Sequence, residues 1–191
     1  MDKTYHFFAP GRTEIGGNHT DHQHGRVLAA AVDMETTAEV TLNGTNIIRV
    51  DSAGYRPVEI DLSALTIREE EKNTTAALIR GVAAAFQQRG YKLSGFDAKV
   101  KSTVLPGSGL SSSAAFEVLI GRILNGLFAD NAVSAIEIAQ IGQYAENVYY
   151  GKPSGLMDQM ASSVGGLVFI DFADPKKPVV EKVDYDFAHS G

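Results

Sequence analysis

Three short segments of this 191-residue chain hold the residues best equipped for chemistry. In residues 146–159, Glu146 ends one helical stretch and Asp158 begins another, across a turn containing Gly151, Pro153 and Gly155. Two carboxylates at one site are what Mg²⁺-dependent phosphoryl transfer uses, one for the metal and one for the acceptor hydroxyl. A surface Glu and a first-turn Asp would look the same, so spacing alone does not choose.

Residues 104–115 contain Pro106, Gly107, Ser108, Gly109, Leu110, Ser111, Ser112 and Ser113 ahead of an apolar helical run. The glycines allow close approach of backbone to a ligand, and free N–H groups at a helix start converge on a point that suits an anion. The serine hydroxyls could bind phosphate oxygens or a magnesium ion. The lysine of a Walker A loop is missing, and a plain capped lead-in to a helix has the same composition.

Residues 9–25 are dense in polar groups, among them Arg12, Asn18, His19, Asp21, His22 and His24. Such a loop could grip a polyol, with Asp accepting from sugar hydroxyls while Arg and His donate. A metal is the competing reading for His19, Asp21, His22 and His24, but their spacing matches no standard zinc pattern. A polar surface loop is the plain alternative.

The elements that must position these residues can be read from pattern. Residues 27–32, 36–42 and 46–51 are short and β-branched, with Asn43-Gly44 as a hairpin turn. Residues 74–89 have helical spacing and close at Gly90. Residues 95–103 alternate as a strand, and an apolar helix follows the serines to about Leu127. Ser134 and Glu137 form a capping box that opens a helix to about Tyr149. A short helix over 156–164 and a strand over 167–172 complete an α+β pattern, with no linker to divide the chain.

Bulk properties narrow the partners. Apolar residues make up 44% and charged residues 21%, as in an ordinary globular protein. With 17 basic and 23 acidic residues the net charge is -6, which disfavours nucleic acid as partner. No cysteine is present, so disulfides and thiolate metal sites are excluded. No run approaches the ~20 apolar residues of a membrane span. With no secretory pattern at the N-terminus, the expected location is cytoplasmic.

Together and in this order, the three segments resemble the galactokinase branch of the GHMP small-molecule kinases. Gly11-Arg12, His19-Thr20-Asp21, Gly25 and Val27-Leu28 look like its sugar-binding signature. Residues 106–115 resemble the superfamily's phosphate loop, and Gly155-Leu156-Met157-Asp158-Gln159 the segment with the catalytic Asp.

The resemblance implies the GHMP N-terminal domain fold and the transfer of a phosphoryl group from ATP to C1 of galactose or a related hexose. Asp158 would take or orient the hydroxyl proton, with Arg12 beside it to balance charge. Asn18, His19, Asp21 and Gly155 would face the sugar, and residues 106–113 would wrap the ATP phosphates. Ser113 and Glu146 would hold Mg²⁺. Asn18 stands where the branch usually has Glu, and His22 where it has Tyr. These departures leave a uronic acid or amino sugar as alternative substrates, and a non-catalytic sugar and ATP sensor as an alternative function. The family's C-terminal domain is expected to be absent from these residues. This piece alone is then expected to be inactive and to expose an apolar docking face able to support a homodimer.

Overall fold

The computed structural model describes residues 3–17, 24–108, 112–174 and 176–184. Asn18, His19, Asp21, His22, Gly109, Leu110 and Ser111 lie outside them.

One long strand organises the sheet. The two strands expected over 27–32 and 36–42 are a single strand, β2 (Arg26–Leu42). Beside it β1 (Thr4–Gly16) runs antiparallel from Leu28 to Thr41, and Asp33 and Met34 lie opposite the register shift between Pro10 and Arg12. Pairing on both sides of that shift carries the strand through a stretch of weak local β preference. Residues 9–16, expected as part of a loop, therefore belong to a strand.

On its other edge β2 holds two strands end to end. Thr36–Leu42 pairs with β5 (Phe96–Ser102), and Arg26–Ala30 with β6 (Leu167–Asp171), both antiparallel. Outward from β5 lie β3 (Ile47–Ser52), parallel to it, and β4 (Val58–Asp61). β7 (Val179–Lys182) borders β6. The sheet is mixed, in the order β4-β3-β5-β2-β6-β7, with β1 on the opposite edge of β2.

Asn43-Gly44 turns the chain, with Gly44 at φ +66°, but it does not make a hairpin. β5 is inserted between β2 and β3. The turn is tied to the start of β5 instead. The Asn43 amide donates to Ile47 O at 3.0 Å and Asp97 Oδ1 at 2.9 Å, and Gly95 N donates to Thr45 O at 2.8 Å. A Cβ at Gly95 would come within 2.6 Å of the carbonyls of Ile47 and Thr45, so this approach requires glycine.

The helices form as their patterns predict, with one difference. In α1 (Thr75–Gln88) the Thr74 hydroxyl caps Ala77 N, and Gly90 ends the helix at φ +88°. α2 (Ser112–Phe128) follows the serines, and α3 (Ala135–Tyr144) opens on the Ser134–Glu137 capping box. α3 does not run on as regular helix to Tyr149. Residues 145–150 form a π-helical turn, Ala145–Tyr150, which ends at Gly151 with φ +84°. α4 (Met157–Val164) is the short helix expected there.

Two apolar clusters result. Inward residues such as Val40, Ile48, Ile60, Phe96 and Val100 pack with α1, α2 and α3. A smaller cluster joins Met157, Met160 and Ala161 of α4 to Val27, Ala29, Val168 and Ile170 of β2 and β6. The architecture is α+β, as the pattern indicated. No helix among the described residues is long and apolar enough to cross a membrane.

Candidate active site

Arg12 and Asp158, far apart in sequence, meet at the junction of β1 and α4. A register shift between Pro10 and Arg12 interrupts the β1–β2 ladder. Such a bulge re-aims side chains, and here it buries the successive residues Gly11 and Arg12. The guanidinium Nε donates to Asp158 Oδ1 at 2.5 Å. The Arg12 side chain is only 10% exposed but that of Asp158 is 32%, so the pair is anchored from below and open to solvent on the carboxylate side. Asp158 also occupies the first turn of α4, where a negative charge is favoured by the helix dipole.

The junction is fastened at the other end of α4. Ser162 Oγ donates to Pro10 O at 2.6 Å. Arg122 of α2 reaches Phe8 O at 2.7 Å and Ser163 O at 2.9 Å. It thus caps the C-terminal carbonyls of α4 and holds β1 against them. Arg12 and Asp158 are set by two tied elements, which fixes their separation.

The second pair joins the phosphate-loop side to the helical turn. Ser113 Oγ lies 3.4 Å from Glu146 Oε1, and Glu146 is 4% exposed. Ser154 Oγ donates to Glu146 Oε2 at 2.9 Å and its N–H to Asn147 Oδ1 at 2.8 Å. These bonds fold residues 151–156 back over the π-helical turn. Gly155 sits on that segment, between Ser154 and α4.

Pro106, Gly107 and Ser108 form an exposed turn in which Ser108 Oγ and N both donate to Leu105 O, at 2.6 and 3.2 Å. Gly107 has φ +75° with open space around it, so backbone conformation rather than crowding requires glycine there. Ser112 and Ser113 open α2, and Ala114 and Ala115 behind them are buried. Among the described residues no three His, Asp, Glu or Cys side chains form a metal-binding group. Of the polar first segment, His24 is described and its Nδ1 lies 3.3 Å from Ala173 O.

Glu117, Ser154, Arg122 and the side chain of Gln159 were not singled out as site residues from sequence. Glu117 carried a readable signal, a lone carboxylate in a helical run otherwise dominated by apolar residues from Ala114 to Leu124. It is 1% exposed. Burial pushes its carboxyl well above the usual carboxylate range, and the neighbouring charges of Glu146 and Asp158 push the same way.

Comparison with known proteins gives the same division of the chain. Residues 77–166 match the family "GHMP kinases N terminal domain", and residues 2–42 match the "Galactokinase galactose-binding signature". The chain is 38% identical over 161 residues to a galactokinase of Bacillus subtilis, covering 83% of this chain and 41% of that protein. It is 34% identical over 186 residues to a galactokinase of Streptomyces coelicolor, covering 96% and 47%. It therefore spans a little under half the length of these relatives.

The crystal structure of Lactococcus lactis galactokinase complexed with galactose superposes with a TM-score of 0.85 at 29% identity, over 96% of this chain and 48% of that one. Methanococcus jannaschii mevalonate kinase shares the fold, with a TM-score of 0.76 at 17% identity over 98% and 57% of the two chains. The chain carries the N-terminal domain of the GHMP kinases and the galactose-binding signature of galactokinases.

Proposed function

We propose that this protein is a sugar 1-kinase that transfers the γ-phosphoryl group of ATP to the C1 hydroxyl of galactose or a close hexose. One observation carries the reading. Arg12 lies in the region that matches the galactose-binding signature, Asp158 in the region that matches the kinase domain, and the fold brings them to 2.5 Å. The two matched regions thus contribute one residue each to a single charged pair.

The chemistry follows from the placement of the groups. The C1 oxygen attacks the γ-phosphorus, an O–P bond forms, and the bond from that phosphorus to the β,γ-bridging oxygen breaks to release ADP. Asp158, open to solvent on its carboxylate side, receives the hydroxyl proton. The Arg12 guanidinium balances the carboxylate and lies where negative charge builds on the transferring group. Asn18, His19, Asp21 and the backbone at Gly155 hold the sugar. Residues 106–113 hold the ATP phosphates with N–H groups and hydroxyls at the start of α2.

The donor set fits a magnesium ion at Ser113 and Glu146. Both are oxygen ligands, and among the described residues Glu146 Oε1 accepts only a long contact from Ser113. When bound, the ion offsets charge on the β- and γ-phosphates.

The test is ADP release by the full-length protein with Mg²⁺, ATP and a panel of galactose, its epimers, galacturonic acid and galactosamine. Turnover highest with galactose or an epimer is expected. Preference for the uronic acid or amino sugar would reassign the substrate, and binding of sugar and ATP with no ADP released would replace the kinase by a sensor.

A further inference from the structure

Beside the Arg12–Asp158 pair, Glu117 of α2, Glu146 of the π-helical turn and Gln159 of α4 form a buried polar cluster, of which the proposed chemistry uses Glu146 alone; they are 1%, 4% and 0% exposed. The Gln159 carboxamide donates to Glu117 Oε2 at 3.0 Å and to Glu146 Oε2 at 2.7 Å. Both of its hydrogens are thereby used. Ser154 Oγ donates to the same Glu146 oxygen, so Oε2 is held by two donors. Oε1 is left with the 3.4 Å contact from Ser113 at the phosphate-loop end of α2. On α3, Gly142 leaves room for the arrangement: a Cβ there would stand 3.2 Å from both Gln159 Cγ and Glu117 Oε2.

We propose that Gln159 is a positioning residue, whose carboxamide, wedged between Glu117 and Glu146, turns Glu146 so that one oxygen is tied back and the other is presented toward Ser113 for a metal–nucleotide complex. The proposal rests on the reading of Glu146 as a magnesium-holding carboxylate. A cluster needed only for packing would be built more cheaply from apolar side chains, because burying two carboxyl groups is costly. Gln159 also follows Asp158 directly in α4. The same turn of helix therefore places the proton acceptor on the open side and its positioning amide on the closed side.

Among the described residues, Glu117 Oε1 and Gln159 Oε1 are buried without a hydrogen-bond partner. An acid proton on Glu117 would turn its oxygen from an acceptor into a donor. The charged groups facing Glu117 are Glu146 from the π-helical turn, Asp158 from α4 and Lys152 from the segment between them, while α3 presents Gly142. The two carboxylates favour the proton, and Lys152 and the Gln159 N–H oppose it.

The decisive experiment is calorimetric binding of a non-hydrolysable ATP analogue to the full-length protein, with and without magnesium. Magnesium should tighten binding to wild type, and Gln159→Met should lose about ten-fold or more of that tightening while still binding galactose. Glu117→Gln keeps a neutral side chain of the same shape and should retain the tightening within about two-fold. Equal tightening in Gln159→Met and wild type would overturn the proposal, as would none in wild type. Should Gln159→Met not fold, Gln159→Asn, whose carboxamide is one methylene too short to reach Glu146 Oε2, decides by the same readout, and unchanged magnesium tightening in it would overturn the proposal. Intact magnesium tightening without hexose turnover would sink the sugar-kinase reading alone.

Discussion

The open and closed sides of α4's first turn handle carboxyl groups in opposite ways. Asp158 faces solvent, has a guanidinium at 2.5 Å and sits on a helix dipole that favours its charge. Glu117 is sealed, has no salt bridge among the described residues, and meets a single amide that it shares with another carboxyl group. The first environment favours a charged carboxylate and suits the proton transfer proposed for Asp158. The second disfavours charge on a carboxyl group and holds it against that amide. Such a division between two acids is how one site separates reactivity from support.

The largest test of this contrast is Asp158→Asn, which keeps shape and removes the proton acceptor. Turnover by the full-length protein should fall about 10²–10⁴-fold while calorimetry still detects galactose binding. Arg12→Met should follow, lowering kcat and also destabilising the fold, since it leaves Asp158 without its anchored partner. Gly142→Ala forces a methyl group against Gln159 and Glu117 and should cost about 1–3 kcal/mol in denaturant unfolding.

Glu117→Gln is gentler and depends on pH. The folded value of Glu117 is raised. Its stabilising contribution is therefore complete below the unfolded value of a glutamic acid and is lost as pH rises toward the folded one. The variant should overtake wild type as pH increases. Smallest of all, Arg89→Ala breaks an exposed bridge to Glu137 at 2.9 Å and should leave the melting temperature nearly unchanged.

Much of this contrast's open side was legible in sequence. Arg12, Asp158, Ser113 and Glu146 stand in segments whose residue types advertise anion and polyol chemistry, and the Ser134–Glu137 capping box marked the start of α3 correctly. The closed side was less so, because Glu117 and Gln159 acquire their roles from tertiary packing across helices. The strands over 46–51, 95–103 and 167–172 stand within a residue of β3, β5 and β6, but the division of β2 into two failed for a similar reason. β2 is continuous because β1 pairs along it, and β5 enters between β2 and β3. Neither fact leaves a local trace. β4 and β7 were passed over because each is a four-residue edge strand, too short for alternation to stand out.

The double pairing of β2 also has a consequence for synthesis. Its N-terminal half waits for β6, which is translated long after β5 has covered the other half. At typical elongation rates that gap is on the order of ten seconds. Throughout it, the edge of Arg26–Ala30 has no partner in β6, and α4 is made only at its end. A nascent chain stalled before Leu167 should therefore protect Phe96–Ser102 from hydrogen exchange while Val27 and Ala29 still exchange. Of the described elements, β6 and β7 would be the last to join the sheet on the ribosome.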